Sequence, residues 1–341
     1  MRALVCHEYG SYENLRIDDV PSPAMMPGHV RIGVRAAGVS FAAMLGVQGK
    51  HQNKPKLPYI PGNEVAGVVL EVASDVPDLK VGDRVVGPAS SGGYAQEALA
   101  PAANIHRMPD RLEFAAATNF PTLYPTAYGA LRWKADMRPG EILLVHGAGG
   151  GSGLTGVEIG KAMGATVIAT AGGADKLAAA KELGADHLID SRKEDIRARV
   201  LEITGGRGVD VVYDPVGGDV WDASLRCVAP HARMIPMGFA SGKVPQIPAN
   251  ILLVKNVTVI GFYYGYYNGW TGRPGEVFDE ADVARRRGMV RDAFQEMFRW
   301  FEQGKLKPPV AGIFPLDQWV PAFRLIEDRK VVGKAALDPN A

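Results

Sequence analysis

Short apolar runs separated by glycine and proline dominate the first hundred residues. Apolar and polar positions alternate over His29–Gly38, and further β-type runs lie within residues 1–20 and over Glu64–Val72. A period of two predicts strands with one buried face, and the frequent turn residues predict antiparallel pairing. The pattern therefore predicts a β-rich first segment, with residues 1–20 forming a hairpin.

From about Phe114 the pattern changes to strands that alternate with helices. Helical patterns over 152–163, 175–183 and 194–204 separate the earlier strands. Helices between consecutive strands imply parallel pairing with right-handed crossovers, so an α/β fold with a doubly wound, six-stranded parallel sheet is expected. The six predicted strands are Ile142–Val145, Val167–Thr170, His187–Ile189, Val209–Tyr213, Arg233–Pro236 and Thr258–Tyr263.

The last part of the chain predicts a loop, a long helix and a short strand–helix–strand unit. The loop runs from Tyr264 to Gly275, the helix covers 283–303, and the final unit lies within Val310–Leu337. Large apolar side chains at helical spacing are typical of core packing. The predicted core stripe of the long helix consists of Val290, Phe294, Met297, Phe298 and Phe301.

A glycine cluster follows the first of the six strands. Strand, glycine turn, helix and second strand form the layout of a dinucleotide-binding unit, in which glycines let the backbone approach a pyrophosphate at the helix N-terminus. A literal GxGxxG runs from Gly151 to Gly156, but it starts too late for the tight turn. We therefore prefer the register with Gly150 and Gly153. The alternative is a glycine turn that binds nothing.

The end of the second strand bears on the choice of nicotinamide cofactor. Enzymes that use NAD usually carry Asp or Glu there, whereas this strand continues from Ala171 into two glycines without an acid. Lys176 follows and could pair with a 2′-phosphate, a bond worth about 1.5–3 kcal/mol, so NADPH is favoured. Asp175 is the counter-evidence, but we expect it to cap the next helix. The alternative for Lys176 is a solvated surface lysine.

Composition narrows the class of protein. The 341 residues are 47% hydrophobic with a formal net charge of +1, so a nucleic-acid partner is not expected. The most apolar later stretch, Ile251–Tyr264, is interrupted and too short for a bilayer. The first residues contain no long apolar segment, so a secretory signal is not expected. Cys6 and Cys227 alone exclude a disulfide framework or a cysteine-cluster metal site. We expect a cytoplasmic protein without a membrane partner.

Seven motifs together resemble the medium-chain dehydrogenase/reductase superfamily. They are most similar to its zinc-independent NADPH:quinone oxidoreductase branch, the zeta-crystallin-like proteins, and they span nearly the full length. The motifs are Gly38–Ala42, Pro61–Gly67, Val81–Val85, Gly92–Glu97, Thr126–Tyr128, His146–Gly153 and Gly208–Asp214.

This resemblance implies a GroES-like catalytic and substrate domain built from residues 1–122 and 267–341. A Rossmann dinucleotide-binding domain, residues 123–266, is inserted between them. Members of the family commonly form homodimers through the last strand of the Rossmann sheet, here near Thr258–Gly261. The zinc ligands of the alcohol-dehydrogenase branch match Ser40, Asn63 and Thr122, which are poor ligands, so no zinc is expected.

The resemblance also implies the site residues. Ser40 stands where most of the branch has Asn at the nicotinamide end, and Ser191 stands where the family often has Tyr near the adenosine. His51 matches a proton-donating Tyr of related enoyl reductases, with a bystander loop histidine as the alternative. Ser40 and His51 are the candidate catalytic residues. The candidate cofactor contacts are Ser40, Thr126, Gly150, Gly151, Ser152, Gly153, Ala171, Lys176, Ser191, Gly238, Phe239, Ala240, Phe262 and Arg329.

The expected activity is hydride transfer from NADPH to a quinone or another α,β-unsaturated carbonyl compound, without a metal. One alternative is an enoyl-thioester or 2-alkenal reductase with His51 as proton donor. An alternative from another class is a non-catalytic NADPH-binding structural or regulatory protein.

Overall fold

The computed structural model describes residues 1–52, 54–90, 92–269 and 279–341. The chain divides into two compact units. The first unit consists of Met1–Thr122, Val277–Phe298 and Pro308–Ala341, and the second consists of Leu123–Glu276 and Arg299–Lys307.

The strands lie mostly where the apolar runs predict them. They are β1 (Arg2–Val5), β2 (Arg16–Asp19), β3 (His29–Val39), β4 (Glu64–Val72), β5 (Arg84–Pro88), β6 (Glu97–Pro101), β7 (His106–Arg107), β8 (Ile142–Val145), β9 (Thr166–Ala171), β10 (His187–Asp190), β11 (Val209–Asp214), β12 (Val228–Pro236), β13 (Thr258–Val259), β14 (Val310–Pro315) and β15 (Lys334–Asp338).

The helices are α1 (Phe41–Val47), α2 (Phe114–Ala117), α3 (Leu123–Tyr128), α4 (Gly151–Ala162), α5 (Ala174–Glu182), α6 (Ile196–Ile203), α7 (Asp219–Leu225), α8 (Ala249–Lys255), α9 (Glu280–Glu302) and α10 (Trp319–Glu327). A π-helical turn, Gly129–Lys134, continues α3. Among the described residues, no helix is long and apolar enough to cross a membrane.

The first unit is built on a sheet with the strand order β14-β15-β3-β4-β5-β7, and β6 also pairs with β3. All these pairs are antiparallel except β14 with β15. The period-two pattern of β3 buries Val30, Ile32 and Val34 on one face. β1 and β2 form the predicted antiparallel hairpin. The prediction of a β-rich first segment is confirmed.

A buried ion pair joins the first and last thirds of this unit. Lys334, at the start of β15, donates to the carboxylate of Glu64 on β4, and the two side chains are 4% and 3% exposed. Gly38 on β3 leaves the space that the lysine occupies, because a Cβ there would lie 2.5 Å from the Lys334 Cε atom. A residue larger than glycine at this position would collide with the ion pair.

The second unit contains a six-stranded sheet with the order β10-β9-β8-β11-β12-β13, and every pair is parallel. In order of appearance this is 3-2-1-4-5-6, the doubly wound arrangement. The predicted sheet is therefore confirmed. The last strand is shorter than predicted: it ends at Val259, and the ring of Phe262 packs with Trp133 and Tyr267 at 6.5 and 5.6 Å between ring centroids.

The predicted long helix is confirmed as α9, which begins at Glu280 and ends at Glu302. Four of the five predicted core residues, Val290, Phe294, Met297 and Phe298, are buried, whereas Phe301 is half-buried. Of the loop predicted over Tyr264–Gly275, residues Tyr264–Tyr266 form a 3₁₀ turn, and the part from residue 270 lies outside the described residues.

Candidate functional site

The glycine turn leads directly from β8 into α4. Gly147 has a φ of +58°, and Gly150 is the N-cap residue, so α4 begins at Gly151. The literal GxGxxG match thus starts inside the helix, after the turn. The first three N–H groups of the helix, from Gly151 to Gly153, have no acceptor within α4 by geometry and can bind an anion.

A second set of glycines brings α4 close to the sheet. A Cβ on Gly153 would lie 2.2 Å from the carbonyl oxygen of Gly147, and one on Gly160 would lie 2.5 Å from the Leu143 side chain. A Cβ on Gly156 would lie 3.0 Å from the Tyr213 ring. These three positions share one helix face because they are three and four residues apart. They hold the N-terminus of α4 at the carboxyl edge of the sheet.

A buried histidine fixes the neighbouring strand ends. The Nδ1 atom of His146 lies 2.8 Å from the Thr170 hydroxyl, and its Nε2 atom lies 2.7 Å from the Ser224 hydroxyl. Ser224 donates its own proton to the carbonyl of Val220, so Nε2 carries the hydrogen and Nδ1 accepts one from Thr170. Burial lowers the pKa of His146, although the charge of Asp214 opposes this. The ring therefore stays neutral and links β8, β9 and α7.

The loops after β11 and β12 are joined by backbone hydrogen bonds. The Asp214 carboxylate accepts from the N–H groups of Val216 and Gly217 at 2.7 and 3.0 Å, which shapes the turn after β11. The N–H of Ala240 donates to the carbonyl of Pro215. Of the candidate contacts in the second loop, Gly238 is half-buried, whereas Phe239 and Ala240 are exposed. This arrangement places them at the carboxyl edge of the sheet.

Two basic side chains lie near the glycine turn and the end of β9. The stem of Lys176 lies over the turn, since a Cβ on Gly149 would be 2.4 Å from the lysine Cβ. Arg192 lies across Gly172, where a Cβ would be 2.6 Å from its Nε atom. The N–H of Ser191 donates to the carbonyl of Ala171 at 3.0 Å and fixes the two strand ends together. Arg192 thus lies at the acid-free exit of β9, and the stem of Lys176 lies over the neighbouring glycine turn.

The sequence analysis missed Arg192, although a signal for it was present. The residues that follow β9 and β10 meet because these strands are parallel neighbours, and Arg192 comes two residues after β10 ends. The expectation that Asp175 caps α5 is wrong. Gly173 is the N-cap residue, and Asp175 lies in the first turn, where its charge complements the helix dipole.

The other candidate residues lie in varied surroundings. Thr126 is half-buried on α3, and Phe262 packs against Gly129, whose Cβ would lie 2.5 Å from the ring. Arg329 is exposed just after α10 with a φ of +55°.

The two candidate catalytic residues belong to the first unit. The Ser40 hydroxyl accepts from the N–H of Ala43 at 3.2 Å and caps α1, which leaves its own proton able to donate. His51 is half-buried, and its backbone N–H donates to the carbonyl of Leu45. Over the described ranges, no cluster of three or more His, Cys, Asp or Glu side chains could hold a metal ion.

Comparisons with known proteins identify the family of both main segments of the chain. Residues 26–110 match the alcohol dehydrogenase GroES-like domain family, and residues 151–275 match the zinc-binding dehydrogenase family. The chain is 38% identical to the quinone oxidoreductase-like protein 2 homolog of Nematostella vectensis, covering 99% of this chain and 88% of that protein.

Two further relatives bear on the function. The chain is 30% identical to the human synaptic vesicle membrane protein VAT-1 homolog, covering 100% of this chain and 87% of that protein. The crystal structure of Escherichia coli quinone oxidoreductase complexed with NADPH matches with a TM-score of 0.85 at 30% identity, covering 99% of this chain and 100% of that one.

The close approach at Gly153 predicts a sharp difference between two glycine substitutions. We expect Gly153→Ala to lower the free energy of unfolding by about 1–3 kcal/mol, because its Cβ would collide with backbone. Gly150→Ala is the matched control: its φ is −99° and the nearest atom would be 3.8 Å away, so we expect only the cost of alanine as an N-cap residue, about 0.5 kcal/mol. Urea denaturation measures both. Equal losses would contradict this account of the turn.

Proposed function

Since the chain belongs to the quinone oxidoreductase-like family of the medium-chain dehydrogenase/reductase superfamily, we propose that it is an NADPH-dependent, zinc-free oxidoreductase. Its acceptor is a quinone or another α,β-unsaturated carbonyl compound. The observation that carries the proposal is the acid-free end of β9, where Arg192 lies across Gly172 and the stem of Lys176 lies over the neighbouring glycine turn. We assign the nucleotide to residues 123–266 and the substrate to residues 1–122 and 267–341.

Each part of the nucleotide has a partner in this proposal. The N-terminus of α4 takes the pyrophosphate, and Lys176 with Arg192 takes the 2′-phosphate. Ser191 and Ala171 lie on the adenosine side. The residues that we assign to the nicotinamide side are Ser40, Thr126, Gly238, Phe239, Ala240 and Phe262. Arg329 is assigned as a further contact to a phosphate of the nucleotide. NADPH bound in the Escherichia coli quinone oxidoreductase supports this assignment.

Bound NADPH would supply the hydride. The chain's own residues orient the reactants and stabilise the negative charge that develops on the acceptor oxygen. Ser40 can donate a hydrogen bond to that oxygen while still capping α1. The proton then comes from solvent or from His51. Ser40, Asn63 and Thr122 are poor zinc ligands, which favours an acceptor that is electrophilic without a Lewis acid.

Two other functions are supported by specific observations. His51 at the position of a proton donor favours an enoyl-thioester or 2-alkenal reductase. The match to the human synaptic vesicle membrane protein VAT-1 homolog, whose name is not that of an oxidoreductase, supports the alternative of a non-catalytic NADPH-binding structural or regulatory protein. A cytoplasmic location and the lack of nucleic-acid and membrane partners stay predictions from composition.

A homodimer is the partner state we propose. β13 is an edge strand, and the adjacent helix α8 exposes Leu253 and Val254 by 79% and 80%. An exposed strand edge beside apolar side chains favours pairing with a second copy.

The oxidoreductase proposal predicts NADPH oxidation with at least one class of activated acceptor. A panel of quinones, enones and enoyl-CoA esters, followed by absorbance of NADPH, separates the three functions. Turnover of quinones or enones supports the proposal, and turnover of enoyl-CoA esters alone supports the reductase alternative. Tight NADPH binding without turnover of any acceptor would contradict the enzyme proposal and favour the non-catalytic role.

The basic pair predicts selective loss of the phosphorylated cofactor. We expect Lys176→Ala and Arg192→Ala each to raise the Kd of NADPH about tenfold, because each removes a charge-assisted bond worth about 1.5 kcal/mol, and to leave the Kd of NADH unchanged. Fluorescence titration measures both values. Lys181→Ala, elsewhere on α5, is the control and should change neither. Equal affinity of the unmodified protein for the two nucleotides would rule out a 2′-phosphate site.

The dimer proposal predicts that charge on α8 separates the subunits. Light scattering should give a dimer for the unmodified chain and a monomer for the double variant Leu253→Asp, Val254→Asp, since two buried carboxylates cannot be compensated at an apolar interface. Val81→Asp is the control at an apolar side chain that is 64% exposed in the first unit. A monomeric unmodified chain would refute the proposal.

A further inference from the structure

A buried carboxylate lies on the helix that begins at the glycine turn. Glu158, about two turns along α4, is 1% exposed. The Tyr124 hydroxyl donates to its Oε2 atom, and the backbone N–H of Lys307 donates to its Oε1 atom, both at 2.5 Å. One side chain therefore binds two segments that are far apart in sequence.

Both partners of Glu158 lie where the chain passes between the two units. The second unit begins at Leu123, one residue before Tyr124, and its last segment ends at Lys307. Pro308 and Pro309 follow at once, so the chain leaves this unit in a restricted conformation. Glu158 thus ties an entry point and an exit point of the chain to α4.

Several charged groups surround this carboxylate. It lines a surface cavity of about 430 Å³. Burial raises the pKa of the Tyr124 phenol well above its usual range, so Tyr124 keeps its proton. The charged residues that share the cavity are Lys161 on α4, Glu182 on α5, and Lys305 and Lys307 on the segment after α9.

We propose that Glu158 is a positioning residue. It binds the segments of Tyr124 and Lys307, where the chain enters and leaves the second unit, to the nucleotide-binding helix α4. These two hydrogen bonds become weaker when Glu158 takes up a proton. The effect on turnover rests on the proposed function, because hydride transfer depends on how precisely the reacting groups are oriented. The pair of hydrogen bonds from Tyr124 and Lys307 to Glu158, called the tether below, is a property of the fold and can be tested without the cofactor.

The direction of the pH effect follows from the hydrogen bonds. Burial raises the pKa of Glu158 from 4.5 to about 7, against the opposing effects of Tyr124 and of the backbone and charge of Lys307. Above this pH the carboxylate accepts two charge-assisted bonds. Below it the neutral carboxyl can still donate to Tyr124 and accept from Lys307, but both bonds are weaker. Both hydrogen bonds of the tether therefore become weaker, but neither is lost, as the pH falls through 7.

The variant Glu158→Gln isolates the charge. A glutamine can donate to the Tyr124 oxygen and accept from the Lys307 N–H, so it keeps both bonds but does not titrate. Hydrogen exchange of the Lys307 amide, compared between the two proteins at each pH, cancels the intrinsic pH dependence of exchange. We expect similar protection at pH 6 and about fivefold greater protection in the unmodified chain at pH 8, since hydrogen bonds to charged groups are stronger.

Two further variants keep this test decisive. Tyr124→Phe removes a bond to the charged form, so the midpoint of the pH effect should move upward. Glu182→Gln, which changes a carboxylate of the same cavity without touching Tyr124, should leave the midpoint unchanged. A protection ratio that is constant between pH 6 and pH 8, or a midpoint that Tyr124→Phe does not move, overturns the proposal.

The pH profile of kcat for NADPH oxidation then tests the consequence. We expect an inflection near pH 7 that Glu158→Gln removes. If turnover is present but this inflection is not affected, the role of Glu158 in turnover fails. If the protection of the Lys307 amide changes as expected and no acceptor is reduced, the positioning role of Glu158 is supported and the proposed function is refuted.

Discussion

The contact between the backbone of Gly153 and the carbonyl of Gly147 is the constraint on which the second unit depends. It allows α4 to begin immediately beside β8, and Gly156 and Gly160 continue the close approach along β11 and β8. The same contact directs the first N–H groups of the helix past the end of the sheet. The packing of the unit and the proposed binding geometry therefore come from one arrangement of glycines.

Much of this arrangement could be predicted from the sequence because the signals are local. Apolar runs of three to six residues, the earlier ones separated by helices, predict a parallel sheet, and the glycine cluster identifies which strand comes first. The last strand was predicted too long, because Phe262 packs its ring against Trp133 instead of extending the strand. Aromatic residues favour strands by propensity, and only the tertiary packing shows that these do not form one.

The residues that the sequence did not reveal act across long separations. Arg192 reaches the end of β9 only because β9 and β10 are neighbours, and the partners of His146 come from β9 and α7. In the sequence, Glu158 is indistinguishable from an ordinary helical glutamate. Its hydrogen-bond partners Tyr124 and Lys307 are 34 and 149 residues away along the chain. Site chemistry of this kind follows from topology, which a local pattern does not contain.

The position of β15 has a consequence for the order in which the protein can fold during synthesis. This strand lies between β14 and β3, and it brings Lys334 to the buried carboxylate of Glu64. The sheet of the first unit therefore cannot be completed until residues 334–338 have left the ribosome, whereas all six strands of the other sheet are available by Val259. The part of the chain made first is the last to reach its final structure, and its exposed strand edges and unpaired carboxylate must be shielded until then.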